Sequence, residues 1–331
     1  MRNISITATW LLALVALAAC ADTSAPVEPV AIDTPSLEPS VRDNDPFAGA
    51  WSLVRIERRD EAGALTEPVD EDRVGYLIYD PAGYMGVTLM RPDRPLYAGD
   101  APTPDEAQAA LSSYTSYFGR YTVNESEGYV THHLEGSFNP RGTGADNQRF
   151  YRFEEDRLVL QPPVSDTGVR SEISWERLPD LPESGLTETH RRLFGFYRIE
   201  SVNRTVDGET VPIEQVAQYD NGYIIYAPSG HMAVHLMRPE RPAIAGPQAT
   251  PEEALGATES YASYFGPFSV HEDEGYLVHH RIGNKTPSGS GTDAQRFYEL
   301  TDTHLNLRPP PGADDDGRTT QGIIGWVRIS D

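Results

Sequence analysis

Gly75-Tyr76-Leu77-Ile78-Tyr79-Asp80-Pro81-Ala82-Gly83 returns later in the chain as Gly222-Tyr223-Ile224-Ile225-Tyr226-Ala227-Pro228-Ser229-Gly230. In the first of these an apolar run, Val74–Tyr79, meets an Asp-Pro-Ala-Gly turn and is followed by a second apolar run, Tyr84–Met90. That order is a β-hairpin signal, because proline presets the turn and glycine tolerates its backbone angles. The offset of 147 residues is kept by Met90-Arg91-Pro92-Asp93-Arg94-Pro95 against Met237-Arg238-Pro239-Glu240-Arg241-Pro242. It is kept again by Tyr117-Phe118-Gly119 and Tyr264-Phe265-Gly266, by His132-His133 and His279-His280, and by Gln148-Arg149-Phe150-Tyr151 and Gln295-Arg296-Phe297-Tyr298. Solenoid units are about 20–50 residues long, so a period of this size means two tandem domains.

Within the first copy the apolar period is mostly two. Trp51, Leu53 and, after one extra residue, Ile56 alternate with polar neighbours, and Arg120–Asn124, Tyr129–Glu135, Gln148–Phe153, Arg157–Gln161 and Ser171–Arg177 read as further strands. Thr103-Pro104-Asp105-Glu106 is a capping box with proline at the first helical position. The pattern predicts a helix from there through Tyr114 and Tyr117, stopped by Gly119, with both tyrosines on one face sealing a barrel end. The fold class expected is all-β: two tandem antiparallel β-barrels, each of about eight strands with one short helix. Closure removes the exposed edges an open sheet would leave.

The charge balance narrows the partners. With 27 Lys+Arg against 50 Asp+Glu, a formal net charge of -23 and Lys285 as the one lysine, the chain lacks the basic surface that nucleic acids or anionic lipid require. Arg2 precedes a short apolar stretch, Ile4 to Leu17, which ends in Leu17-Ala18-Ala19-Cys20. This resembles a bacterial lipobox, which implies that Cys20, the single cysteine, carries lipid. Residues 21–46 are rich in proline and acid and poor in large apolar residues, the composition of a disordered tether. The expected organisation is a signal peptide over 1–20, the tether over 21–46, a first domain over 47–178, a linker over 179–192 and a second domain over 193–331. The membrane is met only through the N-terminal lipid. The absence of an acidic residue at Ala21 favours the outer membrane of the cell envelope, facing the periplasm.

The order Gly-Trp/Tyr-x-Leu, Gly-x-Ile-Tyr-x-Pro-x-Gly-x-Met, Tyr-x-x-Tyr-Phe-Gly, Val-x-His-His and Gly-x-x-x-x-Arg-Phe/Tyr resembles the lipocalin-like domain family of bacteria and fungi. The resemblance covers both copies and implies a small β-barrel with an interior pocket. It brings no catalytic set with it.

Four residues in each copy are candidates for that pocket. Arg149 and Arg296 sit on the more apolar face of their strands, where a guanidinium needs a partner: a ligand carboxylate, or a salt bridge or carbonyl cap inside the wall. In His132-His133 and His279-His280 neighbours point to opposite faces, so one histidine of each pair is inward, and the sequence leaves open which. Met85 and Met232, with the apolar residues that alternate with them, would line a pocket wall. The Arg91–Pro95 and Arg238–Pro242 stretches are stiff loops, either lids that steer an anion or connectors with solvated charges. His231 and His235 are four apart on one strand, about 13 Å, too far to share one ion, so neither a metal nor another cofactor is expected. The reading is a lipid-anchored envelope protein that binds small, mainly apolar, in some cases acidic molecules. The alternatives are an isomerase or cyclase using a His/Arg pair, and an interaction lipoprotein whose barrels are filled by their own side chains.

Overall fold

The computed structural model describes residues 45–211 and 218–330. Cys20, the expected signal peptide and the tether as far as residue 44 lie outside the described residues. Eight strands form the first barrel: β1 (Gly49–Arg59), β2 (Val74–Tyr79), β3 (Tyr84–Met90), β4 (Tyr114–Asn124), β5 (Tyr129–Ser137), β6 (Asp146–Glu154), β7 (Arg157–Gln161) and β8 (Arg170–Arg177). Each pairs antiparallel with the next, and β8 returns to β1. The second barrel repeats this with β9 (Gly195–Val206), β10 (Asn221–Tyr226), β11 (His231–Met237), β12 (Tyr261–His271), β13 (Tyr276–Arg281), β14 (Thr292–Leu300), β15 (His304–Arg308) and β16 (Thr319–Ser330), closed by β16 on β9. The extra residue expected in β1 is a bulge, where the register with β8 shifts between Leu53 and Arg55. Among the described residues no helix is long and apolar enough to cross a membrane.

The helix is shorter than its sequence pattern predicts. Helix α1 spans Pro104–Ser113 and starts with the expected capping box: Glu106 N–H donates to Thr103 Oγ1 at 3.3 Å, and Thr103 N–H to Glu106 Oε2 at 2.8 Å. It stops there, and Tyr114 to Asn124 run as one strand. From Tyr114 to Phe118 the residues are aromatic or hydroxylic, and their side chains alternate between the two faces. Tyr114 and Phe118 lie outside the barrel and Tyr117 and Tyr121 inside it. The two tyrosines expected on one helical face therefore point in opposite directions. Gly119 does not cap a helix. It sits where β4 crosses β5 so closely that a Cβ would lie 2.0 Å from the His133 carbonyl oxygen.

Two further helices serve the second barrel. Helix α2 (Glu188–Leu193) leads into it, and α3 (Pro251–Glu259) is the counterpart of α1. Phe47 closes the end of the first barrel where β1 begins, its ring edge-on to Tyr79, Tyr151 and Phe153 and its carbonyl accepting from Trp51 Nε1 at 2.8 Å. Leu193 takes that place in the second, where Tyr197 donates to its carbonyl at 3.1 Å. The long connections, residues 60–73, 91–113, 138–145 and 162–169, all emerge at the opposite end.

Strand β2 is apolar on both faces, and so is β10, because each barrel covers the other. Tyr76, Ile78 and Phe118 of the first meet Tyr223, Ile225 and Phe265 of the second in one buried cluster. The polar contacts across this seam are reciprocal. Arg94 donates to the carbonyls of Asn284 and Lys285 at 2.5 and 2.6 Å, and Arg241 to those of Ser137 and Phe138. Tyr114 meets Ser263 at 3.1 Å, Ser116 meets Tyr261 at 3.1 Å, and Ser116 donates to Ser263 at 2.9 Å. In the Arg-Pro loops Arg94 and Arg241 are thus tied into the seam, while Arg91, Asp93 and Glu240 stay exposed as a connector's solvated charges. Arg94 and Arg241 cap carbonyls of the opposite barrel about a pseudo-two-fold axis, the self-complementary pattern of an isologous interface.

Candidate functional site

Inside the first barrel an apolar wall of Leu77, Met85, Val87, Leu158 and Leu160 surrounds one polar cluster. Its centre is His132 of β5, fully buried. The Tyr79 hydroxyl is 2.6 Å from His132 Nε2, and the Tyr117 hydroxyl 3.2 Å from Nδ1. Burial first, and then the positive charge of Arg149, hold His132 well below the ordinary imidazole value. The ring is therefore neutral at pH 7, with one donor and one acceptor nitrogen, and each phenol can take either part. Burial raises both phenols, Tyr79 to well above its ordinary value, so neither ionises. Arg149 of β6 anchors one guanidinium nitrogen on its neighbour's carbonyl, Gln148 O, at 2.8 Å, and its charge reaches Tyr79, Tyr117 and His132.

The second barrel builds the same cluster 147 residues on. Tyr226 is 2.8 Å from His279 Nε2, Tyr264 is 2.9 Å from Nδ1, and Arg296 anchors on Gln295 O at 2.8 Å. Burial first, then Arg296 and Arg281, depress His279 in the same way. Each interior also holds a buried indole N–H, Trp175 Nε1 or Trp326 Nε1, with no hydrogen-bond partner among the described residues. An unpaired buried donor is costly and calls for a ligand oxygen or a water.

His132, Arg149 and Met85 of the expected set come together inside the first barrel, and His279, Arg296 and Met232 inside the second. Both methionines are fully buried in the apolar wall. His133 and His280 point outward. Each bonds an exposed carboxylate, Asp146 at 2.7 Å or Asp293 at 2.9 Å, and a hydroxyl on the adjacent strand, Thr122 or Ser269. The sequence reading missed Tyr79, Tyr117 and Trp175 with their counterparts. The available signal was that Tyr79 and Tyr226 end the same strand in both copies, directly before its turn. His235 lies in neither barrel interior. It is buried in the seam, with Nδ1 2.9 Å from Ser116 Oγ, where the first copy has Thr88. Among the described residues no cluster could hold a metal ion.

The buried histidines make the fold acid-sensitive. His132, His279 and His235 are neutral when folded but take a proton below about pH 6.5 once unfolded. Their folded pKa values are depressed, so the stability they allow is fully present above that pH and is lost as the pH falls. For His235 the window reaches down to about 3. Each contributes a slope of about 1.4 kcal/mol per pH unit inside its window. His235→Thr should therefore make the fall in urea midpoint between about pH 6 and 4.5 shallower than in the wild type, with one histidine's share removed. A wild-type midpoint that stays level over that range would contradict the assignment.

A family model described as lipocalin-like domain matches residues 48–178 and 194–329. No curated protein matches the chain. Among solved structures, bovine odorant binding protein, in complex with a selenium-containing odorant, is similar at 13% identity and a TM-score of 0.24, over 46% of this chain and 79% of that one. A protein of unknown function from Nostoc punctiforme is similar at 10% identity and a TM-score of 0.23, over 85% and 96% of the two chains. A mutant of Transferrin Binding Protein B, a vaccine antigen of Haemophilus parasuis, is similar at 9% identity and a TM-score of 0.20, over 86% and 77%. Superpositions this loose carry no argument about what the chain binds.

Proposed function

The chain belongs to the lipocalin-like domain family, and from that premise we propose that it is a carrier: each barrel holds one small, mainly apolar molecule with an oxygen-bearing or acidic head. One observation carries the reading. The same polar cluster, two phenols on a neutral imidazole beside a guanidinium and an unpaired indole N–H, stands inside both apolar barrels. Pockets of this kind take affinity from apolar burial and orientation from a few convergent polar groups. The leader and Cys20 extend the proposal to a lipid-anchored protein of the bacterial envelope, at the outer membrane, facing the periplasm.

Native mass spectrometry of the full chain, purified in detergent from its own kind of host, tests both parts. The expected result is up to two adducts of a few hundred daltons that leave on solvent extraction, besides a permanent lipid mass on Cys20. Arg149→Met with Arg296→Met should weaken retention of an acidic ligand about tenfold or more, since each removes a charge-assisted fork. A clean apo mass, unchanged by extraction, would sink the carrier reading in favour of barrels filled by their own side chains.

A further inference from the structure

The two interiors share one cluster but not one charge. Along the inner face of β5, and of β6 with the residue just before it, the first barrel has Leu134, Asn147 and Ala145, and at the matching positions the second has Arg281, Ala294 and Thr292. Arg281 is half-buried and continues the inward series Leu277, His279 along β13. Its Nη2 donates to Thr292 Oγ1 at 2.5 Å, on the strand paired with it. Its guanidinium carbon lies 5.8 Å from the centre of the Tyr264 ring, the phenol that bonds His279.

The second barrel therefore turns two guanidiniums, Arg281 and Arg296, toward one neutral imidazole. Each positive charge acts on the other and on His279. Among the described residues neither guanidinium forms an ion pair. Asp293, the carboxylate whose charge reaches Arg281, faces outward and is held by His280. In the first barrel one guanidinium, Arg149, acts on His132, and Asp45, which accepts from the Tyr121 hydroxyl at 2.8 Å, acts on Tyr79 with the opposite sign. Two like charges in one partly desolvated interior repel unless an anion joins them, and the second barrel's own carboxylates do not supply it.

We infer that the second barrel selects amphiphiles whose head group carries two negative charges, while the first takes heads with one charge or none. The inference rests on the proposal that the interiors bind ligands, and the two can fail separately. The probes are an alkyl phosphate, dianionic above a pKa near 6, and an alkyl carboxylate of equal chain length, each titrated against the full chain at about pH 8 by native mass spectrometry and calorimetry. The wild type should bind one equivalent of the phosphate about tenfold or more tightly than the carboxylate, the worth of one further charge-assisted pair. Arg281→Leu, which installs the first barrel's own residue, should abolish that preference, bringing the two amphiphiles within about threefold of each other. Leu134→Arg should create a second site that prefers the phosphate. Phosphate selectivity that survives Arg281→Leu would overturn the inference and leave the carrier reading intact. Failure of both amphiphiles to bind the wild type would overturn both.

Discussion

A chain carrying Phe118→Ala is expected to lose about 3–5 kcal/mol of stability, the range for deleting a buried phenylalanine ring. Phe118 is fully buried although its side chain lies outside its own barrel. Its ring centre is 4.8 Å from that of Tyr223 and 5.5 Å from His235, both in the second barrel. Behind it Gly136 has no side chain: a Cβ there would come within 2.4 Å of the Phe118 ring. Truncation leaves a cavity between two rigid sheets that cannot collapse into it, so the loss should sit near the top of the range. Urea midpoints by circular dichroism measure it, with Leu96→Ala, 67% exposed, as the control that should not move. A Phe118→Ala midpoint equal to that of the control would show that the seam contributes nothing to stability.

The second large effect is expected at Gly119. A Cβ there would lie 2.0 Å from the His133 carbonyl oxygen and 2.7 Å from the Glu135 amide nitrogen, both backbone atoms of the paired strand. No rotamer change relieves a backbone clash, so β4 and β5 must separate at the shift in register between Phe118 and Gly119. The cost of Gly119→Val should be about 4 kcal/mol or more, in the range that marks a broken structural element. The chain should accumulate as insoluble or protease-sensitive material. The equivalent change at Gly266, where the Cβ would be 1.8 Å from the His280 carbonyl oxygen, should act alike on the second barrel. A soluble Gly119→Val chain with wild-type thermal stability would refute the crossing.

Gly119 also shows where sequence periodicity misleads. The capping box at Thr103 identified the start of α1 because a cap depends on side chains three residues apart. The end of the helix depends on what Tyr114–Phe118 touch. Tyr114 and Phe118 are claimed by the second barrel and Tyr117 by His132, and those contacts outweigh any local helical preference. The Arg94 and Arg241 loops follow the same logic. Nothing within six residues of either arginine reveals that its acceptors are carbonyls of the other domain, 190 and 104 residues away in the chain.

The duplication, the strand order and the closed barrels were legible from the sequence alone, because a repeat and a period-two pattern are local properties that burial enforces residue by residue. The presence of one histidine and one arginine on the inner wall of each copy could be read in the same way. What only the tertiary structure decided is which of His132 and His133 faces inward, that Tyr79 and Tyr117 converge on it, and that β2 is apolar on both faces because a second barrel covers it. Those outcomes depend on register and on contacts between residues 15 to 149 positions apart, and no local pattern carries information about partners at that distance.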